Sequence, residues 1–200
     1  EQNQNFCMEE GILYDKNMTQ VILATEDAAF YEEDYIMHST VRKISDGAFA
    51  YNSTKRNVFI PNSVWELGEE AFCYSGIRRA VLGKGISKIS NCAFFVTPLE
   101  SVYISENVKY IDLQAFDGCR SLTDVYYEGT EEQWNSIVVA ELNEYLLGAT
   151  IHYNTDLKTY FLEDMDKTEK EAKVLCEKMS ESATVEVTNE LKANDVWTSD

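Results

Sequence analysis

Apolar residues along this 200-residue chain return with a fixed period. The pairs Ala48-Phe49, Ala71-Phe72, Ala93-Phe94 and Ala115-Phe116 recur at intervals of 23, 22 and 22 residues. Val41, Val64, Ile86 and Val108 keep the same phase, and Ile44, Leu67, Ile89 and Ile111 follow three residues later. Val58-Phe59-Ile60, Ala80-Val81-Leu82, Val102-Tyr103-Ile104 and Val125-Tyr126-Tyr127 hold equivalent places and read as strands, with Tyr35-Ile36-Met37 as a degraded leading copy. A unit this short cannot bury its own apolar side, so the five copies must stack and share one core. The pattern predicts a solenoid with one parallel strand per 22–23-residue coil, rising roughly 4.8 Å per coil. The phenylalanine of every Ala-Phe pair points inward.

Both ends of such an array need covering. Gly11 to Leu23 carries two short apolar runs around a polar turn, a hairpin suited to the first coil. Thr130 with Gln133 three residues on is a capping-box signature for a short helix, and Trp134 supplies an apolar plate over the last coil. After Asn154 the period is lost. Leu162, Met165, Ala172, Leu175, Cys176 and Met179 predict an amphipathic helix over about 161–180, and Thr184 to Val187 a short strand. The expected organisation is an N-terminal segment and hairpin over 1–30, repeats over 31–128, a C-terminal cap over 129–154, and an acidic helical extension or the start of a further module over 155–200.

The segment from Asn57 to Phe72, repeated from Ser101 to Phe116, resembles the BspA-type leucine-rich repeats of bacterial and some protist surface proteins. Tyr126 to Ile137 and Ala149 to Asn154 resemble the piece that closes such arrays. The likeness implies a leucine-rich repeat solenoid, a β-rich right-handed coil, placed outside or on the cell and engaged in adhesion. Lys55 departs from it where Ile77, Leu99 and Leu122 are apolar, and Gly83 stands where the family usually has a proline, as at Pro61. Both departures point to irregularity in the second coil.

Charge narrows the partner. With 35 acidic and 17 basic side chains the formal net charge is −18, and no basic stripe exists to hold a nucleic acid. No apolar run approaches the roughly 18 residues of a membrane span. Glu1 reads as a mature or trimmed start, so the lack of a leader carries no information on compartment. Cys7, Cys73, Cys92, Cys119 and Cys176 show no metal spacing and read as packed thiols. His38 and His152 lie 114 residues apart in unrelated contexts, the acidic pairs single out no catalytic couple, and phosphate-binding glycine motifs are missing. The chain reads as non-enzymatic, without a cofactor or metal.

Surface chemistry remains. Alternation along the strands places Ile36, Phe59, Val81, Tyr103 and Tyr126 outward if Val58 and Ile60 face the core. Stacked one per coil, they form an apolar and aromatic row about 19 Å long, flanked by Asp34, Asn57, Arg79, Ser101 and Asp124. Tyrosine and arginine dominate binding patches. Ile36, Phe59, Val81, Tyr103, Tyr126 and Arg79 are thus the expected contact for a protein or glycan ligand. Strand propensity alone, or cover by the tail helix, would account for the same residues, and a spacer role within a larger surface protein is the alternative function.

Overall fold

The computed structural model describes residues 3–25, 34–54 and 56–180. It opens with an antiparallel meander, β1 (Phe6–Glu9), β2 (Ile12–Asp15) and β3 (Gln20–Ala24). The β2–β3 turn is organised by Asp15, whose carboxylate accepts from the backbone N–H groups of Thr19 and Gln20 at 2.6 and 2.7 Å. Each coil then carries a strand on a long wall and a two-residue strand on a short wall. These are β4 (Asp34–Ile36) with β5 (Lys43–Ile44), β6 (Arg56–Ile60) with β7 (Glu66–Leu67), β8 (Ile77–Leu82) with β9 (Lys88–Ile89), and β10 (Ser101–Ile104) with β11 (Tyr110–Ile111). β12 (Asp124–Tyr127), α1 (Glu131–Asn135), β13 (Val138–Val139), α2 (Glu144–Leu147) and β14 (Thr150–His152) complete the array.

The long wall is a parallel six-stranded sheet in the order β4-β6-β8-β10-β12-β14, and β3 joins the short wall by pairing parallel to β5. This is the solenoid that the period predicts. Its interior is a ladder of rings: Phe49, Phe72, Phe94 and Phe116 stack with centroids 4.9, 5.3 and 5.3 Å apart and planes within 16° of parallel. The two aliphatic rows, Val41 to Val108 and Ile44 to Ile111, are buried beside it. Backbone bonds tie the same level together, from Phe49 N to Ala71 O, Phe72 N to Ala93 O and Phe94 N to Ala115 O at 2.7 to 2.8 Å.

The irregular second coil has a physical form. The β6–β8 register slips between Arg56 and Asn57, so Arg56 pairs with Ile77 while Asn57 pairs with Arg79, leaving Arg78 as a bulge. Lys55 itself lies outside the described residues. Gly83 sits where a Cβ would come within 2.5 Å of the Pro61 carbonyl carbon, so the previous coil leaves room only for glycine.

The third side of each coil is a tight turn that enters the left-handed region twice. Gly47, Glu70, Cys92 and Gln114 form one column of positive φ (62°, 55°, 51° and 56°), and Tyr51, Tyr74, Val96 and Gly118 the other (61°, 53°, 53° and 74°). Only Gly47 and Gly118 are glycines, and a β-branched residue such as Val96 is the least suited of all to that conformation. Val96→Asn makes the exposed position polar and accepts positive φ, so unfolding in urea should show it more stable by about 0.5–1 kcal/mol.

At the far end Thr130 and Gln133 form a reciprocal capping box on α1, and Trp134 is buried edge-on against Tyr127 with centroids 5.2 Å apart. Beyond β14 the expected single helix over 161–180 is two: α3 (Leu157–Glu163), capped by Asp156, and α4 (Glu169–Ser180). The break has a local cause. Asp166 adopts a φ of 50°, and Thr168 and Glu171 bond each other reciprocally, which starts a new helix at that point. The strand expected at 184–187 and the start of the repeats at residue 31 lie outside the described residues.

Candidate functional site

The long wall does bring the predicted row into line. Ile36 pairs with Phe59, Phe59 with Val81, Val81 with Tyr103 and Tyr103 with Tyr126. Its exposure is where the expectation fails. Phe59, Val81, Tyr103 and Tyr126 retain 0%, 1%, 3% and 9% of their accessible surface, and Ile36 is half-buried. α3 and α4 lie across the row and turn it into a second hydrophobic core, with Ala172, Leu175 and Met179 of α4 facing the sheet.

The cover is specific. Phe161 meets Phe59 edge-on at 5.5 Å, while Tyr160 packs on Tyr103 at 5.6 Å and on Tyr126 at 5.0 Å. Arg79, expected at the rim of a binding patch, donates from Nε to Asp164 Oδ2 at 3.0 Å and pairs with Glu100 at 3.3 Å. Ser101 Oγ donates to the same Asp164 oxygen at 2.7 Å and lies 3.2 Å from the Tyr160 hydroxyl. Lys167, between the helices, pairs with Asp34, and Asn62 N–H donates to Met179 O at 3.0 Å. Burial holds the Tyr103 and Tyr160 phenols far above their usual range and pushes Tyr126 up to about 12, so all three stay neutral.

The histidines do not meet. His38 Nδ1 lies 2.7 Å from Thr40 Oγ1, whereas His152 stacks on Tyr126 at 4.4 Å with Nε2 2.7 Å from Asp124. That hydrogen bond holds the Asp124 carboxyl below its ordinary value. All five thiols are unpaired, and burial raises each above its usual range, Cys73 and Cys119 to about 11. Thiols so shifted are poor nucleophiles at neutral pH. Among the described residues no cluster of histidine, cysteine or carboxylate groups could hold a metal ion, and no helix is long and apolar enough to cross a membrane. Of two glycosylation sequons, Asn17 is exposed, whereas Asn52 is buried with Nδ2 donating to Thr25 O at 3.2 Å.

Among the described residues an exposed stacked pair of aromatics sits on the turn side. Tyr51 and Tyr74, 64% and 45% exposed, stack at 5.3 Å with planes 9° apart, and Phe95 meets Tyr74 edge-on at 5.4 Å. The signal for this second column was in the sequence, as an aromatic two residues after Phe49 and Phe72 and one after Phe94, overshadowed by the stronger Ala-Phe pair.

A profile of the BspA type leucine rich repeat region matches residues 25–141 in six copies. The chain belongs to that family. No curated protein matches it. Among solved structures it is similar to a leucine rich cell surface protein of Faecalibacterium prausnitzii, at 21% identity and a TM-score of 0.50 over 68% of this chain and 43% of that one. It is also similar to the pneumococcal vaccine antigen PcpA, at 17% identity and a TM-score of 0.61 over 91% of this chain and 47% of that one. At such identities the likeness is one of fold, and this BspA-type chain spans less than half the length of either relative.

Proposed function

We propose that this BspA-type array is a non-catalytic recognition module carried on or outside the cell, engaging a protein or glycan through side chains on its turn side. The observation that carries the reading is the outer aromatic column. Among the described residues the Phe49–Phe116 and Phe59–Tyr126 rows are buried, whereas Tyr51 and Tyr74 remain exposed at a position of positive φ that Gly118 occupies two coils beyond Tyr74. Folding gains little from them there, and exposed aromatics on a rigid scaffold are suited to binding. The two fold relatives, one described as a cell surface protein and the other as a vaccine antigen, lend support to the location.

Adhesion is the finer form of this reading. Its test is a screen of the immobilised chain against extracellular-matrix proteins and glycans, repeated with a Tyr51→Asn/Tyr74→Asn variant. A ligand retained by the native chain and lost by the variant is the expected result, and a ligand retained equally by both would refute the turn side as the site. A spacer role is the second reading, favoured by the covered long wall. It requires that no ligand distinguish the native array from the variant.

A further inference from the structure

The outer aromatic column is bordered by carboxylates. Asp46, Glu69 and Glu70 are exposed on the same side of the first coils, and Glu69 N–H donates to Asp46 Oδ1 across the coil boundary at 2.9 Å. The carboxylate column and the aromatic one abut. Glu70 O accepts from Cys73 N at 2.9 Å one residue before Tyr74, and in a later coil Gln114, at the position of Glu70, donates from Nε2 at 3.3 Å to Asp117, at the position of Phe95. Among the described residues none of Asp46, Glu69 and Glu70 has an ion pair, while the nearby lysines of the short wall are committed elsewhere, Lys43 to Glu66 and Lys88 to Asp112. The strip therefore keeps its negative charge.

We propose that Tyr51, Tyr74 and Phe95 form a docking surface for a cationic segment of a partner protein, which lays arginine or lysine side chains over the rings beside Asp46, Glu69 and Glu70. This rests on the recognition reading above and specifies its partner. Charge complementarity selects the occupant: cations are drawn to the electron-rich ring faces and to the carboxylates together, whereas a neutral sugar could stack on a ring but would gain no ion pairing from the acid strip. Among the described residues Tyr51 has one ring neighbour, Tyr74, and it is 64% exposed. Small residues would serve the coil equally well, as Ala50 and Gly118 do in matching positions, so the rings are not required by the turn.

The test is fluorescence anisotropy of a labelled peptide of alternating arginine and glycine, titrated with the full chain at physiological salt. Tyr51→Asn/Tyr74→Asn keeps a residue that tolerates positive φ while removing the rings, and Glu69→Gln/Glu70→Gln removes charge alone. Both should weaken binding about tenfold, and unchanged thermal unfolding shows that the fold is intact. Glu131→Gln/Glu132→Gln, an exposed acidic pair on α1, should leave affinity within about twofold of native. Equal weakening by that control means diffuse attraction to an acidic chain and overturns the proposal, as does full affinity in the tyrosine variant. Loss of cellotetraose binding in the tyrosine variant, with peptide binding unaffected, would sink the cationic partner and leave the recognition reading standing. If neither probe binds the native chain, the cationic partner falls, while recognition stands or falls with the wider ligand screen.

Discussion

Phe94→Ala lowers the unfolding free energy by about 3–5 kcal/mol, out of a total that for a domain is typically about 5–15 kcal/mol. Phe94 is fully buried at the middle of the ladder, with Phe72 and Phe116 each 5.3 Å away and nearly parallel. Truncation removes two ring contacts and opens a void that the coil cannot close. The backbone at this point is pinned: Phe94 O accepts from Thr97 Oγ1 and from Cys119 Sγ, both at 3.1 Å, and Phe94 N–H is bonded to Ala115 O. A void in a frame that cannot relax belongs to the upper half of the range. Stacked coils also hold one another by nearest-neighbour contact, so the defect weakens the junctions on both sides and should broaden or split the transition. Urea unfolding followed by two probes, tyrosine fluorescence and far-ultraviolet dichroism, measures both effects. A loss below about 1 kcal/mol with a single sharp transition would mean that the ladder is not the spine of the array.

The ladder was legible because burial repeats. Each coil meets the same environment, so Ala-Phe and the aliphatic rows recur at the same spacing and the period survives wide variation elsewhere. Cover of the long wall was harder to read, since the contact between Phe161 and Phe59 spans about a hundred residues and no local pattern records it. A trace existed nonetheless. Phe59, Val81, Tyr103 and Tyr126 are as apolar as the inward residues on either side of them, and an uninterrupted apolar run is the mark of a parallel sheet packed on both faces. The Tyr160-Phe161 pair supplies the matching surface. Local chemistry also separates α3 from α4, since Thr168 and Glu171 have capping-box spacing inside the stretch read as one helix. The left-handed turn positions were largely hidden, because glycine marks only two of them and ordinary residues fill the rest.

Ending the chain after Asn154 should leave the coils wound and make the protein sticky. α3 and α4 contribute nothing to the Phe49–Phe116 ladder or to the backbone bonds between coils, so the parallel sheet and its dichroism persist. What changes is the other face of the long wall. Phe59, Val81, Tyr103 and Tyr126 pass from nearly complete burial to open water as one contiguous apolar strip. Patches of that kind drive association in a soluble protein, so the truncated chain should bind anilinonaphthalene sulfonate strongly and scatter light as oligomers, where the native chain does neither. Packing outweighs charge in holding the cover. The Arg79–Asp164 and Lys167–Asp34 pairs sit at its margin and orient it, whereas Phe161 and Tyr160 are fully buried. Phe161→Ala in the full chain therefore costs about 3–5 kcal/mol, and raising salt from 0.1 to 1 M, which screens the marginal pairs, should not release the helices. A truncated chain that stays monomeric and binds no dye would show that the long wall does not need the cover, and salt-induced dye binding by the native chain would show that charge, not packing, holds it down.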